Sequence, residues 1–147
     1  MFNILRPLIF KFSPEVAHSL AIKALKLNNI PYSKPKDNHI LETTFCEKKL
    51  SSPIGVAAGF DKNAEVYNPL FNLGFSFVEV GTITPKPQFG NPKPRVFRLE
   101  EDEALINRLG FNNSGSERIS QTIKENNKKG FLGINIGPNK DLSLIHI

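Results

Sequence analysis

The chain has 147 residues, 39% of them apolar and 22% charged, which is the composition of a soluble globular protein and excludes a fibrous or disordered one. A net charge of +5 and a pI near 9.4 raise nucleic acid or an anionic membrane as partners, but the lysines are scattered and no block of like charges occurs, so no nucleic acid is expected. The single cysteine, Cys46, excludes an internal disulfide, no Cys/His cluster has metal-ligand spacing, and no apolar run reaches the roughly 20 residues that span a bilayer.

Residues 2–12 are apolar with basic edges and predict a short helix. Arg6, Pro7 and Lys11 interrupt the run and no small-residue cleavage site follows, so a cleavable secretory signal is not expected. Ser13-Pro14-Glu15 supplies a cap, a first-turn proline and a first-turn acid for a second helix. There Val16, Ala17, Leu20, Ala21, Ala24 and Leu27 form the main apolar stripe, and His18, Ile22 and Leu25 form a neighbouring one. Residues 28–38, with Pro31 and Pro35, read as a linker. Two helices of this size cannot hold a core alone. They dock on the rest of the chain, on an anionic membrane surface, or on both.

From Ile40 the pattern becomes strand-like: 41–46 and 48–52 predict a hairpin leading into Ile54-Gly-Val-Ala-Ala-Gly-Phe-Asp-Lys62. That stretch reads as a buried parallel strand closing on small residues, where a flat or phosphorylated ligand can approach the backbone and Lys62 stands at the rim. An ordinary strand–turn–helix joint with a solvated lysine accounts for it equally well. Residues 61–73 predict a helix with Ala64, Tyr67, Leu70, Phe71 and Leu73 on its buried face and Gly74 as its stop. Residues 75–80 predict a second strand ending at Gly81-Thr82.

Four prolines make residues 84–94 a rigid excursion. Residues 95–99 and 104–107 predict a hairpin across the acidic turn 100–103, a helix is expected over 116–129, and 131–137 is a third strand carrying Asn135. The alternation of strands and helices argues for α/β with a parallel sheet. Lys62, Thr82, Asn107, Asn112, Asn113 and Asn135 converge at predicted strand ends. Neither a Ser/His/Asp set nor a nucleotide fingerprint is visible, and amides with one lysine suit a flavin or a small carboxylated ring.

Five motifs in order, Ala57-Ala-Gly-Phe-Asp-Lys62, Gly81-Thr-Ile-Thr-Pro-Lys-Pro-Gln88, Gly90-Asn-Pro-Lys-Pro-Arg-Val-Phe-Arg-Leu99, Ile106-Asn-Arg-Leu-Gly-Phe-Asn112 and Gly133-Ile-Asn-Ile-Gly137, resemble those of dihydroorotate dehydrogenase. The helical segment is similar to the extension of the membrane-associated, quinone-dependent class. The resemblance implies the N-terminal part of a TIM (β/α)8 barrel over residues 39–147, preceded by a helical membrane and quinone unit over residues 1–38. It also implies FMN as cofactor, oxidation of dihydroorotate to orotate in pyrimidine synthesis, ubiquinone or menaquinone as acceptor, and a peripheral place on the cytoplasmic side of the inner membrane. By motif, Ala58, Gly59, Phe60, Asp61, Lys62, Thr82 and Asn135 would contact FMN. Lys62, Asn107, Arg108, Leu109, Gly110 and Phe111 would hold the substrate, and His18 and Arg98 would line the quinone tunnel.

Other roles compete at single positions. His18 fits a packing histidine, Arg98 a surface salt bridge, and Asn112 and Asn113 a helix cap. A TIM barrel needs about 250 residues, so the barrel is expected to be incomplete. The family's serine base is expected beyond Ile147, and the apolar ending 142–147 does not fit the resemblance. An inactive fragment of the flavoenzyme, or a membrane-interface module with an α/β remnant, are the two readings.

Overall fold

The computed structural model describes residues 2–27, 39–126 and 130–141. The linker expected over 28–38, the last turn of the helix expected over 116–129, and the tail 142–147 lie outside the described residues, wholly or in part. Two helices come first, α1 (Phe2–Ile9) and α2 (Pro14–Lys26). Ser13 holds the cap position of α2 by its backbone, its carbonyl accepting from Ala17 N at 3.0 Å, while its side chain makes no capping bond.

A hairpin of β1 (Thr43–Phe45) and β2 (Lys48–Leu50) follows, turning through Cys46 and Glu47, both left-handed at φ 47° and 62°. The strand expected over 54–62 is regular only across β3 (Gly55–Val56). Likewise the helix expected over 61–73 forms only as α3 (Tyr67–Asn72). The reason is Asp61: its two carboxylate oxygens accept from Glu65 N and Val66 N, each at 2.8 Å, and Ala64 turns left-handed at φ 57°, so 61–66 is a carboxylate-braced loop. Such local bonding competes with helix. Leu73, expected on the buried face, is exposed, and Gly74 ends the helix at φ 97°.

Strand β4 (Phe77–Ile83) runs through Gly81-Thr82 instead of stopping there. It is flanked by β3 and by β7 (Phe131–Ile136), all parallel, with a register irregularity between Val80 and Ile83. Between them lie the hairpin β5 (Val96–Leu99) and β6 (Ala104–Asn107), and α4 (Ser116–Glu125). Val78 and Val80 are fully covered, as the centre strand of a parallel sheet requires. Tyr67 and Leu70 of α3, Ile119 of α4 and Ile22 and Leu25 of α2 complete one core. Helix α2 therefore docks through the stripe that carries His18, Ile22 and Leu25, while Val16, Leu20 and Leu27 of the main stripe are exposed.

Candidate active site

The loop after β3 is tied to the end of β4. Gly59 N donates to Gly81 O at 2.8 Å, and Gly81 N donates to Asp61 O at 3.1 Å. Gly59 sits at φ 109°, where a side chain is strained, and nothing lies within 4 Å of the place a Cβ would occupy. The backbone here therefore borders open space. Burial pushes the Lys62 ammonium below its ordinary value, and the nearby Arg95 charge adds to that shift, with Glu15 and Asp61 acting against it. Asp61 is shifted upward by its own burial, offset in part by the amides it accepts.

A cavity of about 360 Å³ gathers Ala58, Gly59, Lys62, Thr82 and Asn107 with residues 108–111. A larger cleft of about 730 Å³, between α2 and the β5–β6 hairpin, holds Phe60, Asp61, His18 and Arg98. Gly59, Lys62, Asn107, Leu109 and Asn112 line both, so they form the partition between the two. Asn135 stands behind the first cavity, its Oδ1 accepting from Thr82 Oγ1 at 2.7 Å and its Nδ2 donating to Glu79 Oε1 at 3.0 Å.

Segment 108–111 is held by its carbonyls. Arg108 O and Leu109 O accept from Asn91, Gly110 O from Gln88 Nε2, and Phe111 O from Asn113 Nδ2. With every carbonyl taken, and no bond from the amides of 109–111 among the described residues, the segment offers a ligand backbone N–H groups, which suit an anion or a ring carbonyl. The Arg108 side chain turns away, donating to Pro94 O at 3.1 Å and covering the Phe97 ring.

His18 Nε2 bonds Phe60 O at 2.7 Å and meets the Phe60 ring edge-on, so it packs as well as lining the larger cleft. Arg98 makes no surface salt bridge among the described residues. Its Nη1 donates to Phe12 O at 2.8 Å and its guanidinium covers the Phe10 ring. Asn113 does not cap α4; its Oδ1 accepts from Gly115 N and Thr84 N. Asn112 Oδ1 is buried with no partner among the described residues, on the partition between the cavities.

Two features escaped sequence reasoning. Glu79 lies in an otherwise apolar strand, and a charge there is itself the signal that it is paired. Arg95 is 7% exposed and ion-pairs with Glu15 at 3.0 Å, which no local pattern announces.

A family model for dihydroorotate dehydrogenase matches residues 40–143. The chain belongs to the dihydroorotate dehydrogenase family. It is 51% identical over 134 residues to dihydroorotate dehydrogenase (quinone) of Rhodospirillum rubrum, covering 91% of this chain and 36% of that one. With the enzyme of the same name from Bartonella henselae it is 52% identical over 136 residues, covering 92% and 37%. A crystal structure of the Eimeria tenella dihydroorotate dehydrogenase in complex with ferulenol superposes with a TM-score of 0.82 at 42% identity, covering 89% of this chain and 37% of that one. The chain thus spans 36–37% of the length of these relatives. Its mixed α/β structure with a parallel sheet is consistent with part of a TIM barrel.

Enzymes of this family are flavin-dependent, and the residues present fit such a group. The cavity of about 360 Å³ borders the open side of Gly59, and Asn112 Oδ1 and the amides of 109–111 are unmet polar groups beside it.

Proposed function

We propose that the chain supplies the N-terminal part of a (β/α)8 barrel that oxidises dihydroorotate to orotate, with FMN as cofactor and ubiquinone or menaquinone as acceptor, in pyrimidine biosynthesis. The observation that carries this reading is the single cavity uniting Lys62, Thr82, Asn107 and the open face of Gly59. Residues 39–147 form the first part of the barrel, and residues 1–38 the membrane and quinone unit. Ile134 and Ile136, exposed on one face of β7, support further structure packed over that face.

Bound FMN supplies the two-electron acceptor for the substrate's hydride. Ala58, Gly59 and Thr82 would hold it directly, Phe60 and Asp61 by shaping and bracing the loop, and Asn135 through its bond to Thr82. Lys62 pairs its ammonium with the substrate carboxylate and places positive charge beside both rings. Asn107 and the amides of 109–111 would read the pyrimidine without adding charge, the Arg108 amide being tied to Arg95 O, and would orient it against the flavin. The base that takes the ring proton is a serine outside residues 1–147. His18 and Arg98 border the quinone's approach through the larger cleft.

The exposed apolar residues Leu5, Leu8, Phe12, Val16 and Leu20 support seating of α1 and α2 on the cytoplasmic side of the inner membrane as a peripheral contact. No helix among the described residues is long and apolar enough to cross a membrane.

The test is expression of the complete reading frame beyond codon 141. Expected are bound flavin, dihydroorotate-dependent quinone reduction, and loss of that activity in Lys62→Ala with flavin retained in part. A frame that continues, folds and binds no flavin would overturn the reading. For the 147 residues alone the expectation is no stoichiometric flavin and no turnover, which a yellow purified chain would contradict.

A further inference from the structure

Glu79 has no assigned part in any of the roles above, yet it is the charged end of a three-residue chain of hydrogen bonds that reaches the cavity. It sits in β4 opposite Gly133 of β7, and its side chain lies over that residue, where an added Cβ would stand 3.5 Å from Glu79 Cγ, an ordinary contact distance. Asn135, two residues further along β7, lies on the same face as Gly133. Thr82 would fall on the opposite face of β4 from Glu79 in a regular strand. The register irregularity between Val80 and Ile83 brings it round instead, and its hydroxyl reaches Asn135.

The order of donors in this chain is dictated by its charged end. A carboxylate accepts and does not donate. Glu79 Oε1 therefore takes the Asn135 Nδ2–H, which turns Asn135 Oδ1 toward Thr82, and that oxygen takes the Thr82 hydroxyl proton. Thr82 is left with only lone pairs to offer the cavity it lines.

We propose that Glu79 is a positioning residue that fixes the Asn135 carboxamide, so that Thr82 faces the ligand solely as an acceptor and selects a ring N–H donor. This rests on the flavin reading above: oxidised isoalloxazine carries one ring N–H, in its pyrimidine portion between two carbonyls. With Gln at position 79 the constraint disappears, because an amide both donates and accepts. Asn135 is then free to flip, and Thr82 to turn its proton outward.

Two measurements test it. In the 147-residue chain, the side-chain amide resonances of Asn135 are followed by nitrogen–proton correlation NMR. Glu79→Gln and Thr82→Val are each expected to shift them while leaving the far-ultraviolet circular dichroism unchanged. Unmoved Asn135 resonances in Glu79→Gln overturn the proposal, whether or not flavin binds. In the flavin-loaded protein from the complete reading frame, FMN is compared with FMN methylated on that ring nitrogen. The unsubstituted protein is expected to prefer FMN by about tenfold, the worth of one well-made hydrogen bond, and Glu79→Gln to lose most of that preference while binding the methylated form as before. An undiminished preference in Glu79→Gln overturns the proposal alone, whereas a continuing frame that binds neither flavin overturns the flavin reading beneath it.

Discussion

Ile119 of α4 and Leu20 of α2 are both branched aliphatic residues on amphipathic helices, yet the first is 1% exposed and the second 46%. At the centre of the parallel sheet and on the helix faces packed against it, apolar side chains are covered, as Val78, Val80, Leu70 and Ile119 are, although Leu73 and the β7 residues Ile134 and Ile136 are not. Along α2 apolar periodicity and burial part company. Its seated face runs through Glu15, His18, Ile22, Leu25 and Lys26, which reach Arg95, the Phe60 carbonyl, the core and Glu65. The spacing is helical, but the face mixes charge with apolar surface, so hydrophobicity alone underrates it. The more uniformly apolar stripe is left to solvent. A helix held by two core aliphatics together with polar anchors keeps its more apolar face available for something else, and in the reading proposed above that is a lipid surface.

Four measurements would break or sharpen this contrast. The largest effect is expected on the sheet side, where Ile119→Ala should cost about 4 kcal/mol in denaturant unfolding, since a fully covered branched side chain leaves a cavity. A cost below about 1 kcal/mol would mean that the core there is loosely packed. Next comes the tie between the two regions. Arg95→Leu should cost about 3 kcal/mol, at the lower end for a broken buried pair because Glu15 retains some contact with water, and it also strips donors from Phe89 O and Asn91 O. The loss should appear chiefly as easier proteolysis around α2.

A smaller effect is expected at the partition. Lys62 has its pKa lowered by burial and by Arg95, so its ammonium is lost at a lower pH than the usual 10.5. Affinity of the flavin-loaded protein for orotate should fall as pH rises through that depressed value, by about tenfold for one charge-assisted contact. In Lys62→Arg, which stays protonated, the fall should be absent; its persistence would assign it to another group. For stability the sign is opposite. The unfolded chain holds the Lys62 proton to higher pH than the folded one, so this group's penalty on folding is relieved as pH rises between the two values. Smallest of all is Leu20→Ser on the exposed stripe, expected to change unfolding by no more than about 0.5 kcal/mol while weakening binding to anionic liposomes. Unchanged liposome binding, in that variant and in a chain lacking residues 1–30, would remove the membrane from the picture.

Strand order, the β5–β6 hairpin and the identity of most cavity residues were legible in the sequence, because buried strands, prolines and glycines leave local signatures. Gly59, Lys62, Thr82 and Asn107 do meet in one cavity. Local pattern failed where a side chain bonded backbone nearby: Asp61 turned an expected helix into a loop. It failed again where a strand was stabilised by neighbours on both sides, since β4 runs on through Gly81-Thr82.

Alone, the amino-acid order determined the family, the α/β alternation and which residue types line the cavity, all of them properties of short segments. Only the tertiary structure decided which stripe of α2 is buried, that Arg95 finds Glu15 across the chain, and that Glu79 speaks to Thr82 through Asn135. Each of those depends on partners distant in sequence, and hydrogen-bond direction and ion pairing are set by where atoms meet in space.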